Sequence, residues 1–297
     1  MASKVWIPSR FNIDAIDSFT RQFVKKDGGP SDDYLTFDFK GLNFIDGSGI
    51  TVLRNSVTWL LKSDSKVEFV NYNNVTKDCI KYLDDCGFFE AYLGTKLRRD
   101  GRCRSTTLPC RFIERSRSFS FIDARLSPFL ASALHVDERS LAGLRSCMKE
   151  IFNNIADHST QTTGFVHVQH YPKMHKVKIT VSDFGVGIPS TIRKTFGDMT
   201  DANAILLAAQ EGVTSQSQPN NMGAGLNYLL DCVSANGGEV VIHSQSGFLR
   251  CFSDRSGQRR KGYNRQGRYP GTLVDISIDS RLFRGDDYDD DRSVIEW

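Results

Sequence analysis

Four stretches in the second half of the chain hold residue types that do chemistry. The first is Leu141 to His158, where Glu150, Asn154 and His158 recur every fourth residue and share one side of a helix. Leu141, Leu144, Met148, Ile151, Phe152 and Ile155 form the apolar stripe beside them. A carboxylate and an amide at a core edge suit a site where the carboxylate takes a proton from water and the amide oxygen holds a metal. The same spacing also describes a solvated helix face. The second stretch is an alternating strand, Val177 to Asp183, running into Gly185 and Gly187. An Asp at a strand end can accept a hydrogen bond from an exocyclic amine, and the glycines let backbone approach a ligand closely. An ordinary Asp-Phe-Gly turn would look the same. In the third, Gly223-Ala224-Gly225-Leu226 precedes an apolar helix, whose free N–H groups suit phosphate oxygens. The fourth is a turn and late strand, Pro270 to Ile276, in which the Thr272 hydroxyl is placed to reach a base or a water.

The chain that must position these groups has 297 residues, enough for two domains. With 39% apolar and 25% charged residues it reads as an ordinary globular protein, which excludes global disorder. The net charge of +3, from 38 basic and 35 acidic residues, does not mark a dedicated nucleic-acid binder. No apolar run is long enough to predict a transmembrane helix. The start, Met1 to Trp6, lacks the apolar core of a secretory signal. Seven cysteines without a Cys-x-x-Cys pair point to free thiols in a reducing cytoplasm, Cys103 and Cys110 pairing only if oxidised.

Composition shifts predict residues 1–93 as a first domain, 94–110 as a basic linker, 111–285 as a second domain and 286–297 as an acidic tail. In the first domain, strand-like runs at 34–39 and 66–71 flank a helix over 49–62, which suggests a parallel β-α-β unit, and a second helix follows near 75–86. In the second domain, strands are expected at 165–171, 177–183, 239–244, 248–252 and 272–278, with a helical patch near 202–211. Antiparallel strands with helices before and between them give an α/β sandwich in which helices cover one sheet face. The fold class is therefore α+β.

The order and spacing of the four stretches resemble the GHKL superfamily, the ATP-binding fold shared by histidine kinases, Hsp90, MutL and the anti-sigma-factor serine kinases. Glu150-x-x-x-Asn154 looks like the N box, Asp183-Phe184-Gly185-Val186-Gly187 like the G1 box, and Gly223-Ala224-Gly225-Leu226 like the G2 box. Gly271-Thr272 looks like the late strand motif, and the match covers roughly residues 105–280. The wording around Glu150 and His158 is close to bacterial stand-alone members. The resemblance implies a Bergerat-type sandwich in which Asn154 ligates Mg²⁺ on the phosphates of ATP. It implies that Asp183 binds the adenine amino group, assisted by Thr272, in a pocket shaped by Gly185 and Gly187. Gly223, Gly225 and Leu226 would offer N–H groups to phosphates, Glu150 matches a hydrolytic base, and residues 195–222 would form a lid. His158 would contact phosphate or cap its helix.

Residues 4–93 resemble the STAS domain of anti-sigma-factor antagonists, through Asp46-Gly47-Ser48-Gly49 and the β-α-β pattern. Ser48 matches that family's phosphoacceptor, while Gly47 departs from the usual Ser. A plain N-cap is the other reading of Ser48. Together the two resemblances imply a cytoplasmic ATP-binding regulatory protein, an ATPase or protein serine kinase of a partner-switching signalling or defence system. Its protein partner is unidentified, and a homodimer is compatible with it. A nucleic-acid-binding, ATP-dependent clamp is the alternative, using the basic linker and the basic stretch Arg250 to Arg268, which otherwise reads as a solvated hairpin. His167, His170 and His175 cluster near a hairpin, but strand alternation points the first two to opposite faces.

Overall fold

The computed structural model describes residues 3–158, 163–213 and 225–285. The first layer comprises β1 (Ser3–Trp6), β2 (Arg10–Phe11), α1 (Ile16–Thr20), β3 (Tyr34–Asp38) and β4 (Phe44–Ile45). It continues with α2 (Gly47–Lys62), β5 (Lys66–Val70), α3 (Asp78–Asp85) and α4 (Phe88–Leu93). Strands β1, β3 and β5 pair in that order, all parallel, with α1 and α2 on the crossovers. This is the strand–helix–strand arrangement expected, because parallel neighbours need a helical return. Phe11, Phe19, Phe23, Phe37, Phe39, Phe88 and Phe89 are fully buried beneath the sheet. Their rings meet at tilted and edge-on angles, as in the Phe11–Phe19 pair at 4.6 Å.

One local expectation changes here. The cap of α2 is Asp46, not Ser48: the Asp46 carboxylate accepts from the amides of Ser48 and Gly49, each at 3.1 Å. A carboxylate fits this place better than a hydroxyl, since it accepts two bonds and complements the helix dipole. The Ser48 hydroxyl is thereby released to point elsewhere.

The second layer comprises β6 (Thr107–Glu114), α5 (Arg115–Phe121), α6 (Ser127–Leu134), α7 (Ala142–His158), β7 (Thr163–Tyr171) and β8 (Lys176–Asp183). It ends with α8 (Ile188–Phe196), α9 (Asp201–Ala208), α10 (Gly225–Ala235), β9 (Glu239–Asp254) and β10 (Gly257–Asp279). The five strands form one antiparallel sheet in the order β6-β7-β8-β10-β9. Strand β6 starts at Thr107, inside the stretch that reads as linker. The two late strands expected at 239–244 and 248–252 are one, β9, and β10 runs far upstream of 272. Register shifts around Tyr269 and a positive φ of 52° at Gln245 let the ladder continue through sequence that reads as loop.

On the inner face of this sheet, Val177, Ile179 and Val181 of β8 and their neighbours pack against α7 and α10, joined by Leu144, Met148, Leu229 and Val233. The outer face departs from expectation. Sequence pattern predicts helices on one face only, yet the first layer covers the other. Lys178, Thr180 and Ser182 look outward and should meet water; each meets the first layer or a group that binds it. Lys178 reaches Asp46 at 2.9 Å and Asp275 at 3.4 Å. The Ser48 hydroxyl donates to Asp275, to which Thr180 also donates at 2.8 Å. Asn55 donates to Ser182 at 2.6 Å. Around these contacts Val241, Phe248, Tyr269 and Leu273 of the sheet join the apolar core of the first layer.

Close approach also explains Gly47. A Cβ there would lie 2.8 Å from the His167 ring on β7. A serine at this position would push α2 off the sheet. Gly49 is constrained on its other side, where a Cβ would lie 2.4 Å from the Phe11 carbonyl oxygen.

Lys178 is the sole cation bonded to Asp46 and Asp275 among the described residues. Lys178→Met should therefore leave two buried carboxylates uncompensated and cost about 3–5 kcal/mol in urea unfolding at neutral pH. Burial already holds the Asp275 carboxyl above its ordinary range. The loss should shrink as pH falls and that carboxyl takes up a proton.

Candidate functional site

Strand β8 ends on Asp183, and strand alternation turns this side chain to the inner face while Ser182 and Phe184 turn outward. Asp183 is 5% exposed. Burial pushes its carboxyl up to about 7, against the opposing pull of the Gly185 and Thr272 amides. The Gly185 amide donates to its Oδ1 at 2.5 Å. Thr272 stands directly opposite Asp183 in the β8–β10 register. Gly271, before it, has a φ of 100°, and a Cβ there would sit 2.3 Å from the Asp183 carbonyl oxygen. Only glycine lets the two chains come this close.

The loop after Asp183 is held from β9. The Ser244 hydroxyl accepts from the Ile188 amide at 3.0 Å, donates to the Gly271 carbonyl at 2.6 Å and lies 3.2 Å from the Thr272 hydroxyl. Gln245 donates to the Val186 carbonyl at 2.9 Å and to the Ser190 hydroxyl. Gly187 has a φ of 79°, and a Cβ there would lie 2.7 Å from the Ser244 hydroxyl. Ser244 and Gln245 were not legible as site residues. Nothing in a Ser-Gln pair at a strand end is distinctive until the ladder places it against the glycines.

Across the helix layer, Glu150 of α7 lies against the start of α10. A Cβ built on Gly225 would come within 3.1 Å of the Glu150 Cβ and Oε2. The stretches read as N box and G2 box therefore touch. Leu226 follows Gly225 and packs half-buried on the inner core. Asn154 stands one turn beyond Glu150 on α7. The side chains of Asn154 and His158, and Gly223 itself, lie outside the described residues.

One expectation needs correction. The lid expected over 195–222 is, in its first half, a fixed element: α9 buries Ala204 and Ile205, and Asp201 pairs with Arg193 and accepts from the Ser246 amide at 2.8 Å. The basic stretch Arg250 to Arg268 forms the solvated β9–β10 hairpin that its composition suggests, with several of its arginines partnered. Arg260 binds the Ala209 carbonyl at 2.6 Å and Asp231 at 2.8 Å, Arg250 pairs with Glu239, and Arg265 stacks 4.0 Å over Phe248. In the basic linker, Arg98 is likewise tied to Asp84 and Asp85. Ser48 lies on the opposite face of the sheet from Asp183. It is fully buried on the outer face, between Asp275 and Lys178, whose Nζ is 3.3 Å away. A cavity of about 210 Å³ opens beside it, bordered by Arg10, Phe44, Asp46, Lys176 and Asp275, on the side of the sheet away from Asp183. His167, also on the outer face, bonds the Tyr82 hydroxyl at 2.8 Å, and burial lowers its pKa to about 3.

The residues present fit an adenine nucleotide. A buried carboxylate offers an acceptor, Thr272 stands opposite it in the strand register, and Gly187 and Gly271 let the backbone around it close up where a side chain would clash. The start of α10 at Gly225 gives a helix N-terminus for phosphate oxygens. Asn154, the residue expected to hold Mg²⁺, has its side chain outside the described residues.

Residues 140–262 match the family described as histidine kinase-, DNA gyrase B-, and HSP90-like ATPase, so a GHKL-type ATPase domain lies there. No curated protein matches the chain. Among solved structures it is similar to the ATPase region of Saccharomyces cerevisiae topoisomerase II, at 11% identity and a TM-score of 0.30, over 49% of this chain and 40% of that one. The same region bound to ICRF-187 (dexrazoxane) gives 12% identity, a TM-score of 0.29 and the same coverage, 49% and 40%. The ATPase and transducer domains of DNA topoisomerase II from Balamuthia mandrillaris give 12% and 0.29 over 46% and 37%. The chain thus spans 40% or less of the length of these structures. No helix among the described residues is long and apolar enough to cross a membrane.

The Asp183 carboxyl titrates in the fold at about 7, above the unfolded value near 4. Its ionisation therefore opposes folding. The penalty is absent below about pH 4, grows as pH rises towards 7 and is full above it. Asp183→Asn removes that penalty and keeps an acceptor oxygen for Gly185. Its melting temperature should exceed that of the parent by roughly 3–6 °C at pH 8, and the gap should close towards pH 5. Melts in which the gap is the same at both pH values would contradict this assignment.

Proposed function

We propose that the chain is an ATP-binding regulatory protein in which a GHKL-type site is braced by a STAS-like first layer. The observation that carries this reading is the buried Asp183 carboxylate, held beside Thr272 and the glycines 185, 187 and 271. Asp183 accepts the exocyclic amine of adenine, and Thr272 assists from the neighbouring strand. Gly223, Gly225 and Leu226 offer amides to the phosphates, at the start of α10. Asn154 holds Mg²⁺, which when bound neutralises phosphate charge. Glu150 is the base that takes a proton from the attacking water, a role its position against Gly225 supports.

This arrangement favours hydrolysis or stable binding over transfer to Ser48 in the same chain. Ser48 lies on the opposite face of the sheet, buried and engaged with Asp275. Reaching it would require the two layers to separate. The regulatory role we infer is therefore one in which nucleotide state alters the surface offered to a protein partner, or to a second copy of the chain. We place it in the cytoplasm, in keeping with seven cysteines that include no Cys-x-x-Cys pair.

Calorimetry with ATP and Mg²⁺ tests the reading. The parent should bind, and Asp183→Asn should weaken binding about 100-fold, because an amide nitrogen turned to the adenine amine opposes donor to donor. Phosphate release, where present, should be lost in Glu150→Ala and kept in Ser48→Ala. A parent that binds no adenine nucleotide would refute the proposal. Label from the γ-phosphate retained on the parent and absent from Ser48→Ala would replace hydrolysis with kinase action.

A further inference from the structure

We propose that Asn55 and Trp59, on helix α2 of the first layer, are positioning residues for the Asp183–Gly185 loop, so that the nucleotide site is incomplete without the first layer. This rests on the reading of Asp183 as the adenine acceptor. It adds something that reading does not contain: residues on the far side of the sheet that set the affinity.

Asp183 faces inward, so its two neighbours face outward, and both are gripped by the first layer. Before it, the Ser182 hydroxyl receives the Asn55 amide at 2.6 Å and shares a hydrogen bond with the Tyr269 hydroxyl, which Asn55 also reaches at 3.3 Å. After it, the Phe184 ring stands edge-on to Trp59 at 5.6 Å and to Tyr269 at 5.2 Å. Asn55 and Trp59 are one helical turn apart, so a single face of α2 holds both neighbours of Asp183.

The geometry matters because β8 stops here. Ladder pairing with β10 ends at Asp183–Thr272. Beyond it, the loop depends on side-chain contacts, with Ser244 and Gln245 on one side and α2 on the other. Removing the Trp59 ring frees Phe184 to rotate. The backbone that aims the Asp183 carboxylate and presents the Gly185 amide rotates with it. Because coupling is reciprocal, nucleotide binding must tighten the docking of α2 by the factor that α2 adds to nucleotide affinity.

Two readouts on the full-length chain test this, at 25 °C and with far-UV dichroism unchanged. Hydrogen exchange of the amides from Phe184 to Ile188 does not depend on nucleotide, while calorimetry with Mg²⁺ and ATP does. Trp59→Ala should speed that exchange about 10-fold and weaken ATP about 10-fold, and Trp59→Phe should restore most of both. Ser182→Ala opens no large cavity and should move both readouts the same way, about 3-fold, which keeps the test sound if Trp59→Ala fails to fold. A parent that binds ATP, with variants that match it in exchange and affinity, overturns the positioning role and leaves the nucleotide reading standing. A parent that binds no ATP while exchange still rises in Trp59→Ala keeps the grip on the loop and overturns its link to nucleotide.

Discussion

The structure depends on the burial of one antiparallel sheet on both faces. Such sheets usually bury one face and wet the other, which gives strands that alternate apolar and polar. Strand β8 has that alternation, with Val177, Ile179 and Val181 inward and Lys178, Thr180 and Ser182 outward, yet the outward set is covered by the first layer. Covering polar groups costs free energy unless each finds a partner. The match is close here. Lys178 has two carboxylates, Thr180 has Asp275, and Ser182 has Asn55 and Tyr269. Those partners, more than the apolar contacts around them, fix where α2 lies along the sheet. A shift of one residue would strand a charge against an amide or a ring.

Both the geometry of the site and the position of Ser48 follow from this constraint. Helix α2 begins at Asp46, whose carboxylate caps the helix with one oxygen and binds Lys178 with the other. The same residue thus starts the helix and anchors it to the sheet. Gly47 gives the clearance that His167 requires, and Ser48 is left facing Asp275. Glycine at position 47 is therefore a packing requirement of the docked layer. From this fixed start, one turn after another of α2 follows β8 until Trp59 meets Phe184 beside the glycine loop.

Much of this was legible in the sequence, and what was missed has a common cause. The α7 stripe, the strand into Asp183 and the glycines after it rest on local periodicity and backbone freedom, which act within a few residues. The pairing of Thr272 with Asp183 was reachable only through resemblance, since their separation says nothing about register. The cap on α2 was misassigned because serine and aspartate both cap well, and only the contact with Lys178 decides between them. The covered outer face was not legible at all. Lys178 reads as a solvent-facing lysine in an alternating strand, and its two carboxylates lie far away in sequence. Charge on one strand tells nothing about a partner on a layer that the chain built first. Likewise the arginines of the β9–β10 hairpin read as a basic patch until Asp231, Glu239 and Asp254 are found beside them.

How firmly the first layer is held decides what kind of regulation the fold permits. A purely polar interface would part readily, because each group it releases regains water. This one is mixed. Its charged groups contribute register more than affinity, since the desolvation of Lys178, Asp46 and Asp275 offsets much of their attraction. Its apolar part is different. Val241, Phe248, Tyr269 and Leu273 are continuous with the phenylalanine core of the first layer, and Tyr269 is fully buried there. Each such side chain exposed on separation costs on the order of 1.5–3 kcal/mol, so full undocking approaches the stability of a whole domain. The first layer is consequently a permanent brace. Small displacements of α2 against β8 would be passed on through the Trp59–Phe184 contact to the Asp183–Gly185 loop.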